Sequence, residues 1–286
     1  MRLGSAASAL ALLLAACGGA SSDSHEAADA HGAETDAGSG HGPSLGPADA
    51  HAATPTPAAH APPSNGANHW SYLDQHAWTE VAGLCATGHE QSPINLSSAA
   101  PMAETPDLAP RYLPASGSFV NNGHTLQFTP ANANGVLTIG QDAFALAQFH
   151  FHSPAEHTLD RRAYPLELHF VHRNGAGHLA VVGVFIEEGA ENAALAALLA
   201  QMPVAEGEQS ATQVDVDLNA LLPPDRAYFA YAGSLTTPPC SEGVRWNVLR
   251  TPLQASPEQI ATLREALGAS SRHVQPLGQR TVLLGS

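Results

Sequence analysis

Gln148-Phe149-His150-Phe151-His152 and Leu166-Glu167-Leu168-His169-Phe170-Val171 are the two runs on which the reading of this chain turns. Side chains in a strand alternate faces with period two. His150 and His152 therefore share one face with Gln148, and Phe149 and Phe151 point to the other. In the second run Glu167, His169 and Val171 share a face, while Leu166, Leu168 and Phe170 fill the opposite one. The connection between the runs is too short for a helical crossover and long enough for a hairpin. Pairing the two strands brings three imidazoles onto one surface. Three neutral imidazoles with a fourth position open suit a catalytic zinc ion, whereas a closed structural site usually takes a fourth protein ligand, often cysteine. A single strand histidine is ordinarily a hydrogen-bonded side chain; His-x-His with a third histidine on the facing strand is a different matter. A ligand imidazole needs an acceptor at its other nitrogen. Gln148 and Glu167, each two residues before a histidine and on the same face, can supply it. A buried glutamate in an apolar strand also needs a partner, and the imidazole N–H is a suitable one.

The surrounding sequence, Phe119 to Val184, is mostly short apolar–polar alternation broken by Gly, Asn and Pro. It predicts strands over Ser118–Val120, Thr125–Thr129, Gly135–Ile139, Phe144–His152, Leu166–His172 and Leu179–Glu187, paired as antiparallel hairpins. Two segments break the pattern. Glu191–Met202 is rich in Ala and Leu and ends at Pro203. Ser256-Pro257-Glu258 places an N-cap, a first-turn proline and an early acid ahead of a helix to about Leu267, with Gly268 as its stop. Both helices are expected at the periphery of a mainly β (α+β) single domain.

The start of the chain is an export signal. Arg2 precedes the short apolar stretch Ala7–Leu14, which cannot span a bilayer. Leu14-Ala15-Ala16-Cys17 resembles a bacterial lipoprotein cleavage box, with Cys17 as the lipidated residue; an ordinary signal peptide with an incidental cysteine is the plainer alternative. Gly18 follows with no adjacent aspartate, which by resemblance favours the outer membrane. Residues 1–17 are thus read as signal peptide, and the location as periplasmic or cell-surface. Residues 18–66 contain no aromatic residue and almost no large aliphatic one, so they bury too little apolar surface to offset the entropy of ordering. This is a tether. His25, His31, His41, His51 and His60 are spread singly along it; a polar linker is the preferred reading and weak zinc capture the alternative. Residues 67–286 suffice for one large domain with a substantial core.

The net charge of −15 speaks against a nucleic-acid surface. All 11 basic residues are arginine. Without a lysine, Schiff-base chemistry, pyridoxal enzymes and P-loop phosphate binding are excluded. Beyond Cys17 only Cys85 and Cys240 remain. In an oxidising compartment such a distant pair reads as a disulfide worth about 2–4 kcal/mol, with a thiol ligand or nucleophile as the alternative.

Taken in order, His69-Trp70-Ser71-Tyr72, Gln91-Ser92-Pro93-Ile94, Asn121-Asn122-Gly123-His124, Gln148–His152, Glu156-His157-Thr158, Glu167–His172 and Ser234-Leu235-Thr236-Thr237-Pro238-Pro239 resemble the alpha-class carbonic anhydrases from about His69 to the C-terminus. The resemblance implies a large, mostly antiparallel twisted sheet with short outer helices, and a Cys85–Cys240 bridge like that of bacterial members. It implies Zn²⁺ on His150, His152 and His169, with Gln148 and Glu167 behind them. It also implies a bound water acidified to about 7, a value that comes with the family and not from this chain. Hydroxide made at the zinc would attack CO₂ to give bicarbonate. By the same resemblance Thr236 orients that nucleophile while donating its own proton to Glu156, and His124 relays the proton outward. Val181, Leu235, Val244 and Trp246 join Val171 as the apolar wall for CO₂, with Thr237 at its edge. Only Val171 has an argument independent of the resemblance, from its period on the strand. His157 and His172 are alternative relays on sequence alone. Gln127 stands where many members carry Asn, and Ser153-Pro154 replaces a common Trp-Gly. The oligomeric state is left open.

Overall fold

A computed structural model describes residues 70–286 except 133, 134, 204 and 212–215. The signal peptide with Cys17, the tether and His69 lie outside the described residues. Two short helical turns come first, α1 (Trp78–Val81) and α2 (Leu84–Thr87). The strands are β1 (Asn95–Leu96), β2 (Leu108–Tyr112), β3 (Gly117–Asn121), β4 (Leu126–Pro130), β5 (Gly135–Ile139), β6 (Asp142–His152), β7 (Thr158–Leu159), β8 (Leu166–Arg173) and β9 (Leu179–Glu188). Helix α3 (Ala193–Leu199) follows, then β10 (Gln209–Ala211), β11 (Tyr228–Ser234) and β12 (Glu242–Ala255), helix α4 (Pro257–Leu267) and β13 (Leu283–Gly285).

Eleven strands form one sheet in the order β10-β3-β4-β6-β8-β9-β12-β11-β13, with β5 also pairing β6 and β2 pairing β5. Among the described residues, only the β9–β12 strand pairing within it is parallel. The molecule is mostly β, as expected. Central strands β8 and β9 are buried on both faces; β9 is a nearly continuous apolar run, whereas β8 alternates Leu166, Leu168 and Phe170 with buried Glu167 and His169. Leu166, Leu168 and Phe170 enter one core with Phe149 and Phe151, and that core is closed by Leu195 and Leu198 of α3 and Ile260 and Leu263 of α4. The other face carries a smaller core around Val181, Phe185, Val244 and Trp246.

Helix α4 has the capping box its sequence announces: the Ser256 side chain accepts from Gln259 N and the Gln259 side chain accepts from Ser256 N. Gly268 ends it at φ 58°, a conformation that favours glycine. Helix α3 is shorter than the Glu191–Met202 expectation, because extended Asn192 takes Leu195 N–H on its side chain and fixes the start. Cys85 of α2 is bonded to Cys240, in the loop after β11.

Candidate active site

The β6–β8 register pairs His150 with His169 and His152 with Glu167. Continued across the sheet, His150 faces Gln127 on β4, and His169 faces Gly183 on β9. The three rings lie 4.6 to 5.2 Å apart, centroid to centroid. Each holds one nitrogen against an acceptor. His150 Nδ1 donates to Gln148 Oε1 at 2.8 Å, His152 Nδ1 to the Ser270 carbonyl at 2.6 Å, and His169 Nε2 to Glu167 Oε1 at 2.9 Å. An acceptor at one nitrogen fixes the proton there and leaves the other nitrogen with a lone pair. Two Nε2 atoms and one Nδ1 are thereby left to face a common point, and the group can offer three donor atoms within 4.8 Å of one another. His152 Nε2 is buried without a hydrogen-bond partner. An orphaned imidazole nitrogen in such a place suits a cation. Burial, opposed at His152 by the Ser270 carbonyl and at His169 by Glu167, lowers the pKa of all three rings, that of His152 to about 4. They are neutral at pH 7, as metal ligands must be.

Behind His169, Glu167 is fully buried and accepts four N–H groups. Oε1 takes His169 Nε2 and His157 Nδ1, and Oε2 takes the backbone N–H of Glu156 and His157. Burial opposes its charge, but His157 and His169 overcome this and hold the carboxyl well below its ordinary range. His157, Glu167 and His169 also converge like metal ligands. Here the facing nitrogens are spent on the carboxylate, and His157 Nε2 bonds Tyr231 Oη at 2.6 Å. Gly183 makes room for this arrangement: a Cβ there would come within 3.1 Å of Glu167 Oε1 and 3.3 Å of Val248.

Glu156 lies against the ligand rings, its Oε2 3.5 Å from His152 Nε2 and 3.9 Å from His169 Nδ1. Oε1 accepts Arg272 N–H at 2.9 Å. Burial raises the carboxyl to about 7, opposed by His169, the Arg272 N–H and the Thr236 hydroxyl. The Thr236 hydroxyl, hydrogen-bonding toward the carboxyl group, stabilises its charge, while Oε2 is buried without a hydrogen-bond partner.

A family model for eukaryotic-type carbonic anhydrases matches residues 73–285. The chain belongs to the alpha-class carbonic anhydrases. It is 43% identical over 226 residues to the carbonic anhydrase of Klebsiella pneumoniae, covering 76% of this chain and 91% of that one. Identity to the carbonic anhydrase of Pectobacterium atrosepticum is 38% over 222 residues, 75% of this chain and 90% of the relative. The alpha-carbonic anhydrase of Thermovibrio ammonificans, solved with sulfanilamide, matches with a TM-score of 0.73 at 39% identity, over 76% of this chain and 100% of that one.

The other expected residues of this carbonic anhydrase lie on β4, β8, β9 and β12 and in the turns after β3 and β11. Val171, Val181 and Trp246 are direct neighbours across β8, β9 and β12. Val181, Val244 and Trp246 are buried, with Val171 and Leu235 packed on them. Trp246 presents its ring to His169 at 4.9 Å and 74°. Thr237 accepts Cys240 N–H on its carbonyl. Gln127 Nε2 is turned to Thr129 Oγ1 at 3.2 Å. His124 is half-buried and stacked on Trp70, centroids 3.9 Å apart and planes within 13°. Its turn is built by Asn122 Oδ1, which accepts His124 N and Thr125 N, with Gly123 at φ 80°. His157 and His172 are fully buried in hydrogen bonds on both nitrogens, which disfavours either as a relay to solvent. Three participants escaped the sequence reading: Ser270, Gly183 and Arg272, whose backbone N–H donates to Glu156. Ser270 acts through its carbonyl, which no residue type announces. Gly183 interrupts an apolar run, and a glycine inside a strand was the available signal.

Proposed function

We propose that this carbonic anhydrase interconverts CO₂ and bicarbonate with Zn²⁺ held by His150, His152 and His169. The observation that carries the reading is the trio of neutral rings, each tied by its far nitrogen to Gln148, Ser270 or Glu167 and offering the near one to a common point. A zinc ion held by these three residues would supply Lewis-acid activation of water near neutral pH. Neutral ligands leave the ion its full charge, which a carboxylate or thiolate would reduce.

The chain's own residues do the rest. Thr236 donates its proton to Glu156, and its oxygen is left only as an acceptor toward the nucleophile. The carboxylate must be ionised for this, and a divalent cation beside it opposes the upward pull of burial. Val171, Val181, Leu235, Val244 and Trp246 keep water from the CO₂ side. His124, at the rim, moves the proton to buffer. Thr237 edges the pocket. By the sequence reading the enzyme works outside the inner membrane, tethered through lipidated Cys17; labelling with radioactive palmitate that Cys17→Ala does not abolish would refute the anchor.

The test is stopped-flow CO₂ hydration by the zinc-loaded full chain, with His169→Ala alongside. Fast turnover that disappears with the substitution is expected. Hydration no faster than buffer, or a His169→Ala chain that still holds one zinc tightly, would overturn the assignment.

A further inference from the structure

Two of the contacts that arrange the site come from a stretch with no regular structure of its own. Residues 269–274 lie beyond α4 and belong to no helix or strand. Yet Ser270 O accepts from His152 Nδ1, and Arg272 N donates to Glu156 Oε1. Ser270 is also locked to Ser153, taking its N–H on Oγ at 3.0 Å and donating its own N–H to the Ser153 carbonyl at 2.8 Å. A coil cannot hold such positions by itself, so something outside must hold it.

The structure shows what does. On the side away from the rings, the Gln75 amide brackets Arg272: Nε2 donates to Ser271 O and Oε1 accepts His273 N, both at 2.9 Å. The Arg272 guanidinium is buried, with the residue 4% exposed. It donates to Gln91 Oε1 at 2.9 Å, Ser92 O at 2.7 Å and Cys85 O at 2.9 Å. Those three acceptors are neutral. A buried cation is an expensive way to fill space, even with the Glu156 carboxylate favouring its charge and the Trp78 ring 5.6 Å from the guanidinium, and a hydrophobic side chain would do it better. All five anchoring groups come from residues 75–92, the segment ahead of the large sheet that contains α1 and α2. Cys85 in the same segment is bonded to Cys240, so the segment is also tied to the loop carrying Thr236.

We propose that Gln75 and Arg272 are positioning residues, through which the segment 75–92 presses the 270–272 stretch onto His152 and Glu156 and sets how slowly the zinc leaves. The proposal rests on the metal assignment above. Neither side chain touches the metal or the substrate; each acts through the backbone of the stretch it holds.

The experiment follows zinc transfer from the loaded full chain to excess dipicolinate, together with the thermal midpoint, for the unsubstituted chain, Gln75→Ala and Arg272→Lys. Ile260→Val, in the opposite core, serves as a control that lowers stability away from the site. Lysine keeps the charge but cannot reproduce the three-acceptor fork. Release about tenfold faster or more is expected for both variants, with little change for the control at a similar loss of thermal midpoint. If Arg272→Lys does not fold, Gln75→Ala decides, since it deletes only an amide at a half-buried position. Release within twofold of the unsubstituted chain in Gln75→Ala, or release that tracks the thermal midpoint in the control as well, overturns the clamp. A chain that holds zinc while its variants release it at the same rate defeats the clamp alone. A chain that takes up no zinc defeats the metal assignment and the clamp with it.

Discussion

His169 is turned opposite to its two neighbours: Nε2, not Nδ1, is the nitrogen committed to the protein. The reason is Glu167, two residues earlier on the same strand face, whose carboxylate is already fixed by two backbone N–H groups and by His157. A rigid acceptor selects the tautomer, and the tautomer selects the donor atom. The same economy separates binding from turnover at Thr236. It holds no metal, so Thr236→Val should leave zinc content at one per chain while lowering kcat/KM about 100-fold, as removal of one oriented hydrogen bond does in other active sites. Zinc analysis beside stopped-flow hydration checks it, and unchanged turnover would remove Thr236 from the chemistry. On the proposed mechanism His124 makes a different demand, limiting only proton export. His124→Ala should cut kcat at low buffer and recover much of it when imidazole is added, whereas a loss that added imidazole cannot repair would point to damage elsewhere.

At the level of elements, the site is an outcome of register. Rows of side chains run straight across β4, β6, β8, β9 and β12, so a one-residue slip would send every ring into the Phe149–Phe170 core. Gly183 is where this row is most exposed to damage, because β9 passes beneath the Glu167 carboxylate with 3.1 Å left for a Cβ. Gly183→Ala should therefore displace Glu167 and speed zinc loss about tenfold or more while far-ultraviolet circular dichroism stays unchanged; a variant with wild-type zinc retention would show that the carboxylate yields at no cost. The strands that carry the rings were readable in the sequence because their two faces differ chemically: aromatic on one side, His, Gln and Glu on the other. β11 and β12 were not among the predicted strands. Their mixture of Ala, Gly, Arg and Pro offers no clean period, and they become strands by pairing, β12 with β9 at long range and β11 with β12 and β13. Gln148 and Glu167 could be picked out by spacing alone, since side-chain acceptors two residues away leave a mark in sequence. The Ser270 carbonyl leaves none, because backbone groups are chemically the same in every residue but proline.

Across the whole molecule, polar groups are buried on both sides of the sheet, and only one side serves the site. His172 points into the core away from the rings, where its Nε2 pairs with Tyr112 Oη at 2.9 Å and its Nδ1 with the Ala180 carbonyl at 3.2 Å. Burial lowers its pKa from 6.5 to about 4, partly offset by the backbone carbonyls that accept from it. The consequence for stability has a definite sign. Above pH 6.5 the ring is neutral in both folded and unfolded chains, and its full contribution is present. As the pH falls from 6.5 towards 4 the unfolded chain takes up a proton that the folded chain refuses, so stability is lost; below 4 both are protonated and the loss is complete. The displacement corresponds to about 3 kcal/mol. His172→Phe removes this proton uptake but leaves the Tyr112 hydroxyl without its partner. It should be less stable than the parent at pH 7 and lose less on acidification, so that the two urea-unfolding free energies converge by pH 4.5. The comparison cancels the histidines of the proposed metal site, which are the same in both chains. Parallel stability profiles from pH 7 to 4.5 would mean that His172 titrates in the folded protein much as it does in the unfolded one.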